Sequence, residues 1–258
     1  MTLEDIKVDT PLSGVRRITI CRPAVRNALR TQTLFEIAAT LEQATASTDV
    51  GAIVLAAEGK CFAAGADLAE MEKKGVVDLL LEERPHQWAR IARCPKPIIV
   101  VVQGPALGAG LELVMHGDMV IASTSARFGL PEIRLGIIPG AGGTQRLTRT
   151  VGKSLAMQMV LTGEPISAET AHHRGLVTEV LPEDKLMDRA LAVASAVAAR
   201  APLALRAAKQ AVLLAEEAPL SLALELERKA FVVLAATQDR QEGIAAFLEK
   251  REPSFRGH

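Results

Sequence analysis

Apolar residues recur along this chain in two rhythms that alternate. Val15-Arg16-Arg17-Ile18-Thr19-Ile20 reads as a strand that stops before Pro23, and Gly51-Ala52-Ile53-Val54-Leu55-Ala56 as a second. Between them Leu34, Ile37, Ala38 and Leu41 repeat at helical spacing, which predicts a helix over Thr31 to Ala46 with one buried face. Ile98-Ile99-Val100-Val101-Val102 has no polar alternation, as expected of a strand covered on both faces in a parallel sheet. Met119-Val120-Ile121-Ala122 reads as a further strand. Alternation of this kind predicts an α/β fold with right-handed crossovers.

The remaining stretches are helical or turn-like. Residues 73 to 92 mix charge with leucines and include Pro85 and Trp88, which reads as an irregular helical segment, either a lid or wall or a plain surface helix. Gly152 to Thr162 and Ser167 to Arg174 predict two short helices, the second capped by Ser167 with Glu169 in its first turn. From Leu186 onward the pattern is helical, with segments Leu203–Glu217, Ser221–Ala236 and Asp239–Lys250 apolar on more than one face. Such helices need more than one neighbour, and subunit contacts are expected there.

Composition narrows the function classes. Thirty basic residues balance thirty acidic ones, which argues against general binding to nucleic acid or anionic membranes. Six Phe, one Trp and no Tyr leave little for a stacking platform on single-stranded nucleic acid. The stretch Met1 to Asp9 is polar and acidic, unlike a secretory leader, and no apolar run is long enough to span a membrane. Cys21, Cys61 and Cys94 are scattered and odd in number, as reduced thiols in a cytoplasmic protein would be, and no metal-ligand spacing is present.

The chemistry concentrates in residues 98 to 142. The strand at Ile98 runs into Gly104-Pro105-Ala106-Leu107-Gly108-Ala109-Gly110 and then a helical stretch carrying Glu112. Glycines at such a junction let backbone approach a ligand, with the unpaired N–H groups of the helix start pointing at it. Glu112 lies among Leu111, Leu113, Val114 and Met115, so it is expected to be partly desolvated. Glu132 follows between Pro131 and Ile133, shortly before Pro139-Gly140-Ala141-Gly142-Gly143-Thr144. Other motifs fail. Leu113 and Gln145 stand where a dinucleotide fingerprint needs its third glycine, and no phosphate-binding loop is present. Gly152-Lys153-Ser154-Leu155-Ala156 lacks the last glycine of a nucleophile elbow, and adjacent His172 and His173 do not face one ligand.

The residues that remain resemble the enoyl-CoA hydratase/isomerase (crotonase) superfamily over essentially the whole chain. The matching stretches are Asn27-Ala28-Leu29, Phe62 to Leu68, Gly104 to Glu112, Phe128 to Glu132, Pro139 to Leu147 and Phe247 to Arg251. Arg84 to Arg90 and Leu234 to Gly243 carry a finer resemblance to the bacterial hydratases of phenylacetate degradation, which act on 2,3-dehydroadipyl-CoA. The resemblance implies a spiral of ββα units over residues 1–195 and a helical C-terminal region over 196–258 that makes trimer contacts, in a trimer or a dimer of trimers. It also implies syn addition of water across a 2-trans-enoyl-CoA. No resident cofactor is implied, since coenzyme A is part of the substrate, and neither nucleic acid nor membrane is a partner.

Carried over residue by residue, the resemblance makes Glu112 and Glu132 the catalytic pair and the N–H groups of Ala66 and Ala109 the oxyanion hole. It places Ala64, Asp67, Leu68 and Gly140 in contact with substrate or coenzyme. Water addition needs these parts, because charge develops on the thioester oxygen while one proton leaves water and another reaches Cα. Ala109 departs from the glycine most relatives carry, and it serves only if its φ is negative. Arg84 and then Arg90 are the candidates for the far end of an acyl chain that carries a carboxylate. A Δ3,Δ2-enoyl-CoA isomerase needs one proton shuttle, so the presence of both acids favours the hydratase. An RNA-binding relative would show a lysine-rich helix, and the Lys73-Lys74 pair is offset by Asp78, Glu82 and Glu83.

Overall fold

The computed structural model describes residues 2–258. The chain opens with strands β1 (Ile6–Leu12) and β2 (Gly14–Ile20), helix α1 (Thr31–Ala46) and strand β3 (Val50–Ala57). Three short helices follow, α2 (Leu68–Met71), α3 (Val76–Leu81) and α4 (Arg84–Ala92). Then come β4 (Ile98–Val102), β5 (Pro105–Leu107), α5 (Ala109–Val114), β6 (Met119–Ser123) and β7 (Arg127–Gly129). Next are α6 (Gly143–Val151), α7 (Lys153–Thr162), β8 (Ile166–Ser167), α8 (Ala168–His173) and β9 (Glu179–Leu181). Helices α9 (Leu186–Ala198), α10 (Pro202–Leu214), α11 (Leu220–Leu234) and α12 (Gln238–Glu249) complete it.

Two sheets organise these elements. Six strands pair in the order β1-β2-β3-β4-β6-β9, parallel throughout except for the β1–β2 hairpin. A smaller sheet pairs β5, β7 and β8, and a bridge between Ala63 and Ala106 extends it toward the segment after β3. Each turn of the chain thus places one strand in the large sheet, one in the small sheet and then a helix. This is the α/β spiral of ββα units that the resemblance implied.

The unbroken apolar runs are buried on both sides. Ile53, Leu55, Ile98, Val100 and Val102 face one core, shared with α1 and α4. Ala52, Val54, Ile99 and Val101 face a second, closed by Leu186, Ala190 and Ala194 of α9. Period-two alternation sends successive side chains to opposite faces, so two cores need apolar residues at every position. Edge strand β1 went unread because it buries only Ile6 fully, while Lys7, Asp9 and Thr10 are exposed. The N-terminal segment is nonetheless anchored. Glu36 accepts the N–H groups of Glu4 and Asp5, and Asp5 pairs with Arg30 and Arg22.

The predicted helix over Thr31 to Ala46 forms with those bounds. The unpaired carbonyls at its C-terminal end and at the start of β3 are met by a buried lysine. Lys96 Nζ donates to Ala44 O and Ser47 O, both at 2.6 Å, and to Val50 O at 2.5 Å. Ser167 caps α8 as expected, accepting from Thr170 N–H at 3.1 Å. Helices α10 and α11 bury no residue completely within one chain. Helix α10 is tied to the sheet by Lys209, which meets Asp118 Oδ2 at 2.7 Å. No single described helix is long and apolar enough to cross a membrane.

Replacing Lys96 by Met keeps the stem but leaves three carbonyls without their donor. The expected loss is about 3 kcal/mol of unfolding free energy, since an orphaned buried acceptor costs about 1–3 kcal/mol. A lowered urea midpoint at unchanged slope would show it; an unchanged midpoint would mean that water replaces the ammonium.

Candidate active site

The spiral brings its strand-to-helix junctions to one cavity of about 220 Å³. One junction follows β3. Asn27 is wholly buried, and its amide donates to Glu58 O at 2.9 Å and Cys61 O at 2.8 Å, holding the loop that leads to Ala64 and Ala66. Leu29 N–H donates to Gly65 O, and Asp67 N–H to Leu29 O. These two bonds straddle Ala66, whose own N–H has no partner among the described residues.

The second junction is β5 to α5. Gly108 adopts φ +51°, and a side chain there would meet Glu132 Oε1 at 2.9 Å, so glycine serves both conformation and space. Gly110 packs as tightly, since a Cβ would lie 2.4 Å from Ala63 O. Ala109 follows Gly108 as the first helical residue and is absent from the positive-φ positions. The left-handed turn falls on Gly108, so alanine is accommodated at 109 without strain. The Ala109 N–H is an unpaired donor of the helix start and lines the same cavity as Ala66.

Glu112 lies one turn further along α5 and is 3 % exposed. Its Oε1 accepts the N–H of Ala141 at 2.7 Å and of Gly143 at 2.8 Å. Burial pushes its carboxyl above the ordinary glutamate range, and the two N–H groups and Arg84 oppose that push. Glu132 reaches the cavity from a single 3₁₀ turn, Pro131–Leu135. Its buried Oε2 has no hydrogen-bond partner. Desolvation, with a smaller contribution from the Glu112 charge, pushes this carboxyl up to about 7. Two carboxyl groups therefore share one cavity, one held by donors and one left nearly bare.

Of the remaining sequence candidates, Ala64, Leu68 and Gly140 line the cavity, with Leu68 half exposed at its mouth. Asp67 does not. Its carboxylate turns away to Arg22 at 3.0 Å. Arg84 is buried in the cavity wall, donating from Nη1 to Leu29 O at 3.1 Å and Glu70 Oε2 at 3.5 Å. Among the described residues Nε and Nη2 of Arg84 bond to nothing. Arg90 is a correction: it binds Glu42 of α1 through Nε and Nη2, stacks over Phe35 and lies off the cavity. Lys74, weighed for nucleic acid, is paired with Glu82 at 2.8 Å and Glu70 at 3.5 Å. The segment over residues 73 to 92 is a wall, contributing Glu82, Arg84, Pro85 and Trp88. Sequence reasoning missed the donors Ala141 and Gly143. Their glycine-rich turn was visible, but its partner lies about thirty residues earlier.

Comparison with known proteins shows the family of the chain. The profile of the family "Enoyl-CoA hydratase/isomerase" matches residues 11–258. The chain is 51% identical over 240 residues to the 2,3-dehydroadipyl-CoA hydratase of Escherichia coli K12, covering 93% of this chain and 94% of that protein. It is 43% identical to the mitochondrial enoyl-CoA hydratase of Pongo abelii, covering 93% of this chain and 82% of the relative. The crystal structure of an enoyl-CoA hydratase subunit I from Geobacillus kaustophilus HTA426 superposes with a TM-score of 0.96 at 41% identity, covering 99% of each chain. That of an enoyl-CoA hydratase from Bacillus anthracis gives 0.92 at 35% identity, covering 99% and 100%.

The bare carboxyl of Glu132 has a consequence for stability. Its folded pKa lies above the unfolded one, so the folded state binds more protons and stability falls as pH rises from about 4.5 to about 7. Glu132→Gln removes that loss. The variant is expected to melt roughly 2–4 °C above wild type at pH 8.5, the effect of about 1 kcal/mol on a chain of this size. The gap should close at pH 5; a constant gap would point to packing instead.

Proposed function

This chain belongs to the enoyl-CoA hydratase/isomerase family and is an enoyl-CoA hydratase, a lyase, and from that premise we propose that its substrate is 2,3-dehydroadipyl-CoA, hydrated through Glu112 and Glu132. The observation that carries the mechanism is the meeting of two unequal carboxyl groups and two unpaired backbone N–H groups in one cavity. The thioester oxygen sits between the N–H groups of Ala66 and Ala109, where preorganised donors stabilise the enolate that forms as water adds to Cβ. Glu112 is the base. The donors of Ala141 and Gly143 hold Oε1 and favour its ionised form, leaving Oε2 to take a proton from water. Glu132 is the acid. Its desolvated site keeps a proton up to about pH 7, available for delivery to Cα. Ala64, Leu68 and Gly140 line the path of the coenzyme and the reacting carbons.

The identity of the acyl group rests on Arg84 and on the 51% identical relative. A carboxylate at the end of the acyl chain cannot be buried unpaired, and Arg84 presents Nε and Nη2 without protein partners at the cavity wall. The C-terminal helices are the assembly surface of a trimer or dimer of trimers, since Phe231, Val233 and Phe247 are more than half exposed on one chain. Three free cysteines are consistent with a place in the cytoplasm.

Glu112→Gln and Glu132→Gln should each fold and assemble yet hydrate at least about a hundredfold more slowly, because each loses acid–base capacity. Near wild-type turnover in either would sink the two-carboxylate assignment. In the wild type, kcat/KM should fall on the alkaline side near pH 7 as Glu132 ionises, and on the acid side above the ordinary glutamate range as Glu112 protonates. A rate flat from pH 5 to 9 would contradict these roles.

Arg84→Ala should slow hydration of 2,3-dehydroadipyl-CoA while leaving crotonyl-CoA nearly unchanged, because only the former carries the terminal charge. Initial rates on both thioesters decide it. Equal losses would assign Arg84 to holding Leu29 and Glu70, and a wild type indifferent to the terminal carboxylate would remove the substrate assignment.

A further inference from the structure

His116 is a titratable group beside the cavity that the hydration chemistry does not use. It lies just past the end of α5, where the helix tightens: His116 N–H bonds to Leu113 O at 3.1 Å and Gly117 N–H to Val114 O at 2.9 Å. This tightening skips one acceptor. No backbone N–H among the described residues reaches the carbonyl of Glu112, which in a continuing helix would take the N–H of residue 116. The His116 ring fills that place, with Nδ1 2.8 Å from Glu112 O. A carbonyl only accepts, so Nδ1 carries the proton and Nε2 does not. Burial, with the Arg146 cation nearby, pushes the imidazole down to about 4 and keeps it neutral in the working range. Its ring also packs on Trp88, with centroids 5.2 Å apart, and Trp88 is part of the cavity wall.

We infer that His116 is a positioning residue for Glu112: its Nδ1–H closes the open end of α5 and fixes the backbone from which the carboxylate projects. The inference rests on the hydratase reading. Helix α5 has only six residues and carries two parts of the site, the Ala109 N–H at its start and Glu112 one turn later. The backbone N–H groups of Ala141 and Gly143 hold the Glu112 carboxylate at its tip, and the imidazole holds the same residue at its root. With the root free, the carboxylate would sample more positions relative to the water it must deprotonate, a loss felt in kcat more than in substrate binding.

Two substitutions separate the hydrogen bond from the ring. His116→Asn keeps a donor at the level of Nδ1 but gives up the packing on Trp88. His116→Phe keeps an aromatic ring on Trp88 but loses the donor. On the assembled enzyme with crotonyl-CoA, His116→Phe should lower kcat roughly tenfold with KM changed less than about twofold. Emission from Trp88, the only tryptophan, should stay where it is in that variant. His116→Asn should keep kcat within about threefold of wild type while shifting the emission. The inference fails if His116→Phe keeps its kcat, or if both variants lose kcat equally, since the Nδ1–H donor would then not be what sets the rate. Should His116→Phe not fold, a tenfold loss in His116→Asn overturns it alone. A wild-type protein that hydrates no enoyl-CoA would refute the hydratase reading instead, and is distinguished by that control.

Discussion

Burial of the Glu112 carboxylate is the constraint on which the site depends. A desolvated carboxylate tends to neutralise itself, and a neutral glutamate could not take a proton from water. Two backbone donors, Ala141 and Gly143, counter that tendency, and they come from a turn that β6, β7 and the 3₁₀ segment must first bring back. Short helix α5 and the turn at 139–144 therefore form one unit. Neither has the right chemistry without the other.

The same cavity treats Glu132 differently. No donor meets its Oε2, and Gly108 leaves room for the carboxyl without offering a partner, because the N–H of Gly108 is already bonded to Gly129 O. Equal side chains thus meet unequal surroundings, and the proposed division into a base and an acid rests on that difference. The remaining charged groups are consumed in holding the walls. Lys96 closes α1, Asp5 ties Arg22 and Arg30 to the N-terminus, and Glu70 joins Thr31, Lys74 and Arg84. Arg84 keeps free donors after these bonds, which sets it apart from the other charged groups of the walls.

Much of this was legible in the residues. The spacing of Leu34, Ile37 and Leu41 fixes α1 because a 16-residue amphipathic helix repeats its signal four times. The run Ile98–Val102, β-branched and without polar alternation, suggested a strand with two covered faces. Glycines 108 and 110, with Glu112 after them, announced a close backbone approach beside a carboxyl. Strands β7, β8 and β9 are two or three residues long and carry no periodicity to read. Strand β1 hid behind a sequence whose polar residues face solvent.

Arg84 and Arg90 show where sequence stops. Six residues apart on a helix, they point about 120° apart around its axis, so they meet different neighbours. Arg84 and Trp88, four apart, share a face, and that much follows from the helical repeat. Which face meets the cavity was decided by the packing of α4 on α1, where Glu42 and Phe35 claim Arg90. The carboxyl of Asp67 was likewise claimed by Arg22, forty-five residues away. Local pattern sets which side chains lie together on an element. Partners distant in the chain decide what that face touches, and a charge goes to whichever partner relieves its desolvation.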